Sequence, residues 1–181
     1  MLCLSLAGCS HLTRTKTIAD LCPTPQNKTL GDSGLPAGVQ WDFRVDPHRA
    51  TSGRGVTLVW TFRNTASVAR YVEFAGSERP LLDAWLIDIR GKTVWKALEG
   101  PQELAILGLP IAPRDSLTFA KTWDGSISPS VPVAPGCYIM RAFLRPPAIN
   151  AERNVTRDVV LEITKAAAAA LRSRSEHSMG R

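Results

Sequence analysis

From residue 39 onward apolar and polar side chains alternate one for one: Val39, Trp41, Phe43 and Val45 interleave with Gln40, Asp42, Arg44 and Asp46. Successive side chains of a β-strand point to opposite faces, so this spacing predicts a strand with one buried and one solvated face. On a helix the same residues would scatter around the axis and leave no face to bury. The period recurs. Val56, Leu58, Trp60 and Phe62 predict a second apolar face, Val68, Val72 and Phe74 a third, and Trp85, Ile87 and Ile89 a fourth, with Gly91-Lys92 as a turn into Thr93-Val94-Trp95. Further strands are expected at Leu117–Phe119, at Cys137–Arg145, where Ile139 and Phe143 oppose Tyr138, Met140, Ala142 and Leu144, and at Val155–Ile163, where Val155, Val159, Leu161 and Ile163 share a face. Residues 102–108 are expected to form a short helical or irregular crossover. Seven to nine short strands separated by Gly/Pro turns, with no long helical period, predict an all-β chain folded as an antiparallel β-sandwich.

The rest of the chain has a different texture. Residues 10–38 carry Pro23, Pro25, Gly31, Gly34, Pro36 and Gly38 among Thr, Ser, Asp and Asn, a composition that breaks regular elements and predicts a tether. Residues 165–181 hold the alanine run Ala166–Ala170 and predict either a short terminal helix or a solvated basic tail. The sandwich is therefore expected over residues 39–164. Lys and Arg number 22 against 16 Asp and Glu, but three of the six net positive charges fall in residues 165–181 and only two in residues 41–164. A body so nearly balanced excludes a nucleic-acid footprint on the folded part. No apolar run reaches the roughly 18 residues of a membrane-spanning helix.

At the amino terminus, Leu6-Ala7-Gly8-Cys9 resembles a bacterial lipobox, with residues 1–9 as the signal. A lipid on Cys9 would hold the chain at a membrane surface, at about 0.8 kcal/mol per buried methylene. Only eight residues precede Cys9 and none is basic, where a signal peptide takes roughly 15–30 residues, which points to a translation start placed too late. The alternative is an apolar segment with a chance Ala-Gly-Cys. Ser10 favours the outer membrane or surface of a bacterial cell envelope. Export would remove Cys3 with the signal and lipidate Cys9, leaving Cys22 and Cys137 either to pair in an oxidising compartment or to remain two separate buried thiols. Pairing would constrain the unfolded chain by roughly 4–5 kcal/mol in the chain-entropy account.

No catalytic constellation emerges. Gly31-Asp32-Ser33-Gly34 resembles the nucleophile loop of chymotrypsin-like proteases, yet only 32 residues and one histidine, His11, precede Ser33. That family places its base and orienting carboxylate ahead of the serine on most of a double barrel. His11, His48 and His177 share no metal-ligand spacing and the body has no Cys/His cluster, so neither a metal nor a cofactor is expected. Asp83 and Asp88 lie five apart on a strand and point to opposite faces, so an acid–base pair from them would need an unusual bulge.

A series of aromatic and glycine positions at strand ends carries a family resemblance. Val72-Glu73-Phe74-Ala75-Gly76-Ser77, Asp83 through Gly91-Lys92-Thr93-Val94-Trp95, Ala112-Pro113-Arg114-Asp115-Ser116 with Thr122-Trp123-Asp124, and Val133-Ala134-Pro135-Gly136-Cys137-Tyr138 follow in order. Together they resemble the BsuPI-type intracellular proteinase inhibitor family over roughly residues 55–145. Arg114-Asp115 departs from the family's usual Gly-Glu. The resemblance implies an immunoglobulin-like sandwich and binding of a proteinase or another envelope protein through loops, without catalysis. Most of the matched residues also have structural reasons: Gly76, Gly91 and Gly136 for turns, Pro135 to preset one, Trp60, Trp95 and Trp123 to fill a core, and Tyr138 to tie its hydroxyl to backbone nearby.

Ala75–Pro80, Lys96–Leu109 and Gly125–Ala134 are the candidate contact loops, because connections host recognition more often than strands do. In the last, Ser126, Pro129 and Pro132 mark a segment stiff enough to enter a cleft. The expectation is a lipid-anchored envelope module that binds protein, with a proteinase as one candidate partner to inhibit and a purely structural or interaction protein of the envelope without inhibitory activity as the alternative.

Overall fold

The structure is a computed structural model, and it describes residues 22, 35–76, 78–99, 105–144 and 155–166, the side chain of residue 155 excepted. Among these residues there are twelve strands and no helix: β1 Val39–Asp46, β2 Arg49–Thr51, β3 Val56–Asn64, β4 Arg70–Ala75, β5 Asp83–Asp88, β6 Thr93–Lys96, β7 Ile106–Ile111, β8 Ser116–Trp123, β9 Ser126–Ser128, β10 Val131–Pro132, β11 Gly136–Leu144 and β12 Val155–Thr164. A three-stranded sheet in the order β1-β3-β8 packs against a five-stranded sheet in the order β2-β12-β11-β5-β6. All pairings are antiparallel except β2, which runs parallel to β12. The chain is an all-β sandwich. Cys9, the expected lipidation residue, the Ala166–Ala170 run beyond its first residue and most of the expected tether lie outside the described residues.

The alternating face of β1 is buried as its sequence requires, with Val39, Trp41, Phe43 and Val45 each 4–6% exposed and the four polar residues between them exposed. β3 supplies Leu58, Trp60 and Phe62, all fully buried, and β11 and β12 supply Met140, Ala142, Leu161 and Ile163 from the other layer. Large rings dominate the interior. Phe43 lies 5.1 Å from Trp60, and Phe62 meets Phe74 edge-on at 4.9 Å, the tilted and T-shaped arrangements that ring quadrupoles favour.

Four elements escape the periodicity. β2, β9 and β10 have three residues or fewer, and β7 occupies Ile106–Ile111, so the irregular crossover expected over 102–108 is strand from 106 on, with 102–104 outside the described residues. Two faces also differ from expectation. Val68 is 53% exposed and precedes β4, so the third face is Val72 and Phe74 alone. On β5 the core side is Ala84 and Leu86, both fully buried, whereas Trp85 and Ile87 look outward and Ile89 is exposed in the turn beyond the strand. Both faces of β5 are apolar, so the period fixes the strand without fixing its inside.

β3 and β4 continue one another, as do β7 and β8. Val56–Arg63 pairs with Trp123–Ser116, and Arg70–Ala75 pairs with Ile111–Ile106, so a single antiparallel ribbon runs the length of the sandwich with a corner in its middle. Six residues, 64–69, turn that corner on one strand and four, 112–115, on the other. Beyond the corner Phe74 meets Phe62 and Phe119 edge-on, which folds the β4–β7 arm back over the inner face of the three-stranded sheet.

Asn64 holds the corner. Its side chain is fully buried, its Nδ2 donates among the carbonyls of Val68, Ile111 and Ala112 at 2.8–3.1 Å, and its Oδ1 accepts from the Ala66 N–H at 2.9 Å. Its own N–H donates to Asp115 O. An alanine there would leave backbone groups on both strands without partners in a water-free site, each at about 1–3 kcal/mol. Asn64→Ala is therefore expected to lower the unfolding free energy by about 3 kcal/mol, read as a lower urea midpoint at unchanged m-value. Asn64→Asp, which replaces the donor by a negative acceptor facing carbonyls, is expected to cost more.

Candidate functional site

Register places the connections at two ends of the sandwich. β3 begins, β8 ends, β11 begins and β12 ends at one of them, because Val56 pairs with Trp123 and Gly136 pairs with Ile163. The β5–β6 turn lies there too, since Asp88 pairs with Tyr138. At this end the segment Gly125–Ala134 is not a loose loop. Ser126–Ser128 and Val131–Pro132 pair as a small hairpin, with Pro129 and Ser130 at its tip and Ser130 in the left-handed region at φ 66°.

The base of the hairpin is braced. The buried indole of Trp123 donates from Nε1 to Ser126 O at 2.8 Å, the Asp124 carboxylate accepts from Ser126 N–H at 2.9 Å, and Val133 N–H donates to Gly125 O. Val133 is 2% exposed and its carbonyl accepts from the Ser52 hydroxyl at 2.7 Å. Gly125 has φ +83°, and a Cβ on it would lie 2.6 Å from Arg54 O, so only glycine lets the hairpin sit against the β2–β3 turn. Trp95 stacks obliquely on Trp123 at 5.2 Å and fixes the indole from the other side.

Above that base everything is exposed, including Ser128, Pro129, Ser130 and Pro132. Ile127 and Val131 are 37% and 45% exposed and Ile89, in the β5–β6 turn at the same end, is 60% exposed. The hairpin from Ser126 to Val133 has no charged residue. A rigid, uncharged projection carrying apolar side chains suits a protein surface better than a small molecule. Ser126 belongs to the brace, and Pro129 and Pro132 lie on the exposed part. Ile127 and Val131 are not evident from sequence, where each is a lone apolar residue among small polar ones and forms no repeating face.

The matched motif residues are spread through the frame. Phe74 is buried in the ring cluster, Trp95 and Trp123 pack on each other, and Gly91, at φ 80°, shapes a turn whose Arg90 and Lys92 N–H groups donate to the Asp88 carboxylate. At Gly76 a Cβ would lie against Arg79 O, and φ is +128°, so the turn after β4 demands glycine. Pro135 and Gly136 lead into β11, and the Tyr138 hydroxyl donates to Ala134 O at 2.9 Å, a corner tie of the kind sandwiches use where the chain changes layer. Of the other candidate loops, Ala75–Pro80 closes on itself through Leu81 N–H to Ala75 O, and the last four residues of Lys96–Leu109 are in strand β7, with residues 100–104 outside the described residues.

Cys22 and Cys137 are joined by a disulfide, with Cα atoms 5.2 Å apart. Cys137 is on the outward side of β11, alongside Ile139, Arg141 and Phe143. Arg141 and Asp158 form a two-pronged ion pair on that side at 2.7 Å, and the bond to Asp158 raises the guanidinium pKa above its ordinary value. An open depression of about 450 Å³ on the outer face of the three-stranded sheet is lined by Gln40, Trp41, Asp42, Arg44, Thr61 and Arg63. Four of those six residues are exposed, a shape that encloses little of a small ligand.

No family model and no curated protein matches the chain. Solved structures with some likeness include the Pseudomonas fluorescens alkylpurine DNA glycosylase AlkC bound to DNA with an abasic site analog, at 12% identity and TM-score 0.41 over 72% of this chain and 31% of that one. The C-terminal domain of wzt gives 9% identity and TM-score 0.41 over 74% and 77% of the two chains. The CARDB domain of a Pyrococcus furiosus protein in complex with di-metal ions gives 9% and 0.39 over 74% and 97%. The chain spans only 13% of the length of a Paenibacillus cycloisomaltooligosaccharide glucanotransferase that it also resembles. At these TM-scores the likenesses carry no argument about activity or ligand.

Tyr138 offers a measurable check on this end of the sandwich. Burial, and after it the negative charge of Asp88, raise its phenol pKa above the ordinary 10.0. A raised folded value means that the tie contributes fully below pH 10 and is lost as pH rises through the folded value. Tyr138→Phe is expected to cost about 1 kcal/mol at pH 7, and the gap between the two proteins should close as pH is taken above about 10 in denaturant titrations.

Proposed function

We propose that this sandwich is a protein-binding module of the bacterial cell envelope, anchored by a lipid on Cys9, that presents the β9–β10 hairpin to a partner protein. The partner implied by the BsuPI resemblance is a proteinase, and the module acts on it as an inhibitor without chemistry of its own. The observation that carries this reading is the hairpin itself: a base tied by Trp123, Asp124, Ser52 and Val133, and a tip that leaves Ile127 and Val131 in water. Ordering a loop on binding costs roughly 0.5–1.5 kcal/mol per immobilised side chain, a cost that bracing removes beforehand. The Cys22–Cys137 disulfide supports an oxidising compartment, since such bonds are rare where thiols are kept reduced.

Titrating the full chain against a panel of secreted proteinases is expected to slow at least one of them. Ile127→Asp with Val131→Asp should weaken that inhibition by about tenfold to a hundredfold, as expected for two apolar side chains withheld from burial. The unfolding midpoint should stay where it was, because both side chains are exposed in the free protein. If no proteinase is slowed, the inhibitory part of the proposal fails. For the anchor, mass spectrometry of the membrane fraction is expected to find an amino-terminal peptide beginning with lipid-modified Cys9, and Cys9→Ser should release the protein from that fraction; a soluble chain beginning at Met1 contradicts it.

A further inference from the structure

The chain ahead of β1 is fastened to the sandwich at two places, and they lie at opposite ends. β1 begins at the corner, where Val39 pairs with Asn64 and Gly38 O accepts from both the N–H and the hydroxyl of Thr65. Cys137 is the second residue of β11, next to Tyr138, which pairs with Asp88 at the β5–β6 turn. That is the hairpin end, and only residues 134–136 separate Cys137 from the buried Val133 at the hairpin's base. The disulfide therefore brings Cys22 to the end from which Ile127 and Val131 project. The eight residues of β1 set the two fastenings about 25 Å apart.

Covalent geometry turns this placement into a limit on reach, because a fully extended chain spans at most about 3.5 Å per residue. Thirteen residues lead from Cys9 to Cys22, so the two cannot be more than about 45 Å apart. Cys137, whose Cα lies 5.2 Å from that of Cys22, falls under nearly the same limit. Twenty-six residues lead from Cys9 to Leu35, and a chain fastened only at the corner could extend about 90 Å. Residues 23–34 are long enough to bridge the two fastenings, since their extended length of about 40 Å exceeds the roughly 25 Å to be crossed. Tension on the amino terminus is thus taken up at Cys22 before it reaches β1.

We infer that the Cys22–Cys137 disulfide is the point from which the anchored domain hangs, so that the hairpin end rather than the corner end is held toward the membrane. The inference rests on the lipid at Cys9 proposed above. Fastened at the corner alone, the sandwich would carry its hairpin at the end remote from the anchor. Fastened at Cys137, it keeps that residue within about 50 Å of the lipid, and the hairpin leaves from this layer. The partner within its span is then a protein of the same membrane surface. The bridge sets both the orientation of the module and the depth at which its apolar tip works.

The test uses the full lipid-modified chain on vesicles of phosphatidylethanolamine and phosphatidylglycerol that carry an energy-transfer acceptor on their headgroups. The donor dye sits on an azide-bearing amino acid at Ser128, on the hairpin, or at Ser67, at the corner; both positions are exposed, and the cysteines stay untouched. Transfer from Ser128 is expected to exceed transfer from Ser67. A Gly/Ser insert of about thirty residues after Thr15, ahead of Cys22, should roughly halve the transfer from Ser128, whereas the same insert after Lys28 should leave it unchanged. Cys22→Ser with Cys137→Ser should make the two inserts act alike and abolish the preference for Ser128, with the unfolding midpoint reporting whether that variant is folded. The insert pair decides the matter with the bridge intact. Equal effects of the two inserts in the bridged protein, or stronger transfer from Ser67, overturn this inference alone. A chain without lipid on Cys9 that stays off the vesicles overturns the anchor along with it.

Discussion

The side-chain amide of Asn64 is the point on which the two layers depend. A ribbon that stayed in one plane would extend β3 into β4 and leave the end of the core open. To turn it, backbone groups on both strands must leave the ladder inside a region that water does not reach, and each stranded carbonyl or N–H costs about 1–3 kcal/mol. One residue answers most of that demand, because an amide carries two donor hydrogens and an acceptor at the end of a short side chain. Asn64 spends them on the carbonyls of Val68, Ile111 and Ala112 and on the N–H of Ala66, so the corner is fastened across both strands at once. Only with the corner in place can Phe74 reach Phe62 and Phe119, and that aromatic contact closes the interior.

Legibility in the sequence follows from how each strand is buried. β1 has one wet face and one dry one, so its alternation names both the strand and the inside. β5 and β11 are interior strands of the five-stranded sheet with apolar residues on both sides, and there the pattern marks a strand while its orientation depends on the layer opposite. β7 was hidden by Gly108 and Pro110, which read as breakers. Both are accommodated at an edge, where a missing N–H or side chain takes nothing from the ladder. Asn64, followed by Thr65-Ala66-Ser67, reads as an ordinary turn residue, and nothing local distinguishes a buried amide from a solvated one. The hairpin was legible as a stiff loop through its prolines, but its pairing depends on Trp123 and Val133 being anchored by the rest of the fold.

The five-stranded sheet shows why the free surface of this sandwich lies at its ends and edges. Its outward face is not a solvent face: Cys137, Ile139 and Phe143 are 5–8% exposed, Ile87 is 9% exposed, and Arg141 and Asp158 neutralise each other there. The disulfide attaches Cys22 to this side, and closing so long a loop limits the unfolded chain by about 5 kcal/mol in the chain-entropy account. A sheet buried on both faces adds stability and gives up binding surface. The outer face of the three-stranded sheet is solvated but open and mostly polar. What remains are the braced hairpin at one end and the outer edge of β8.

These two features are consecutive in the chain, and Trp123 joins them. It is the last residue of β8, its backbone completes the pairing with Val56, and its indole holds Ser126 at the start of the hairpin. The hairpin therefore leaves from the carboxyl end of β8 on a side chain that the core holds at 2% exposure, so its direction is set by the same residue that completes the three-stranded sheet.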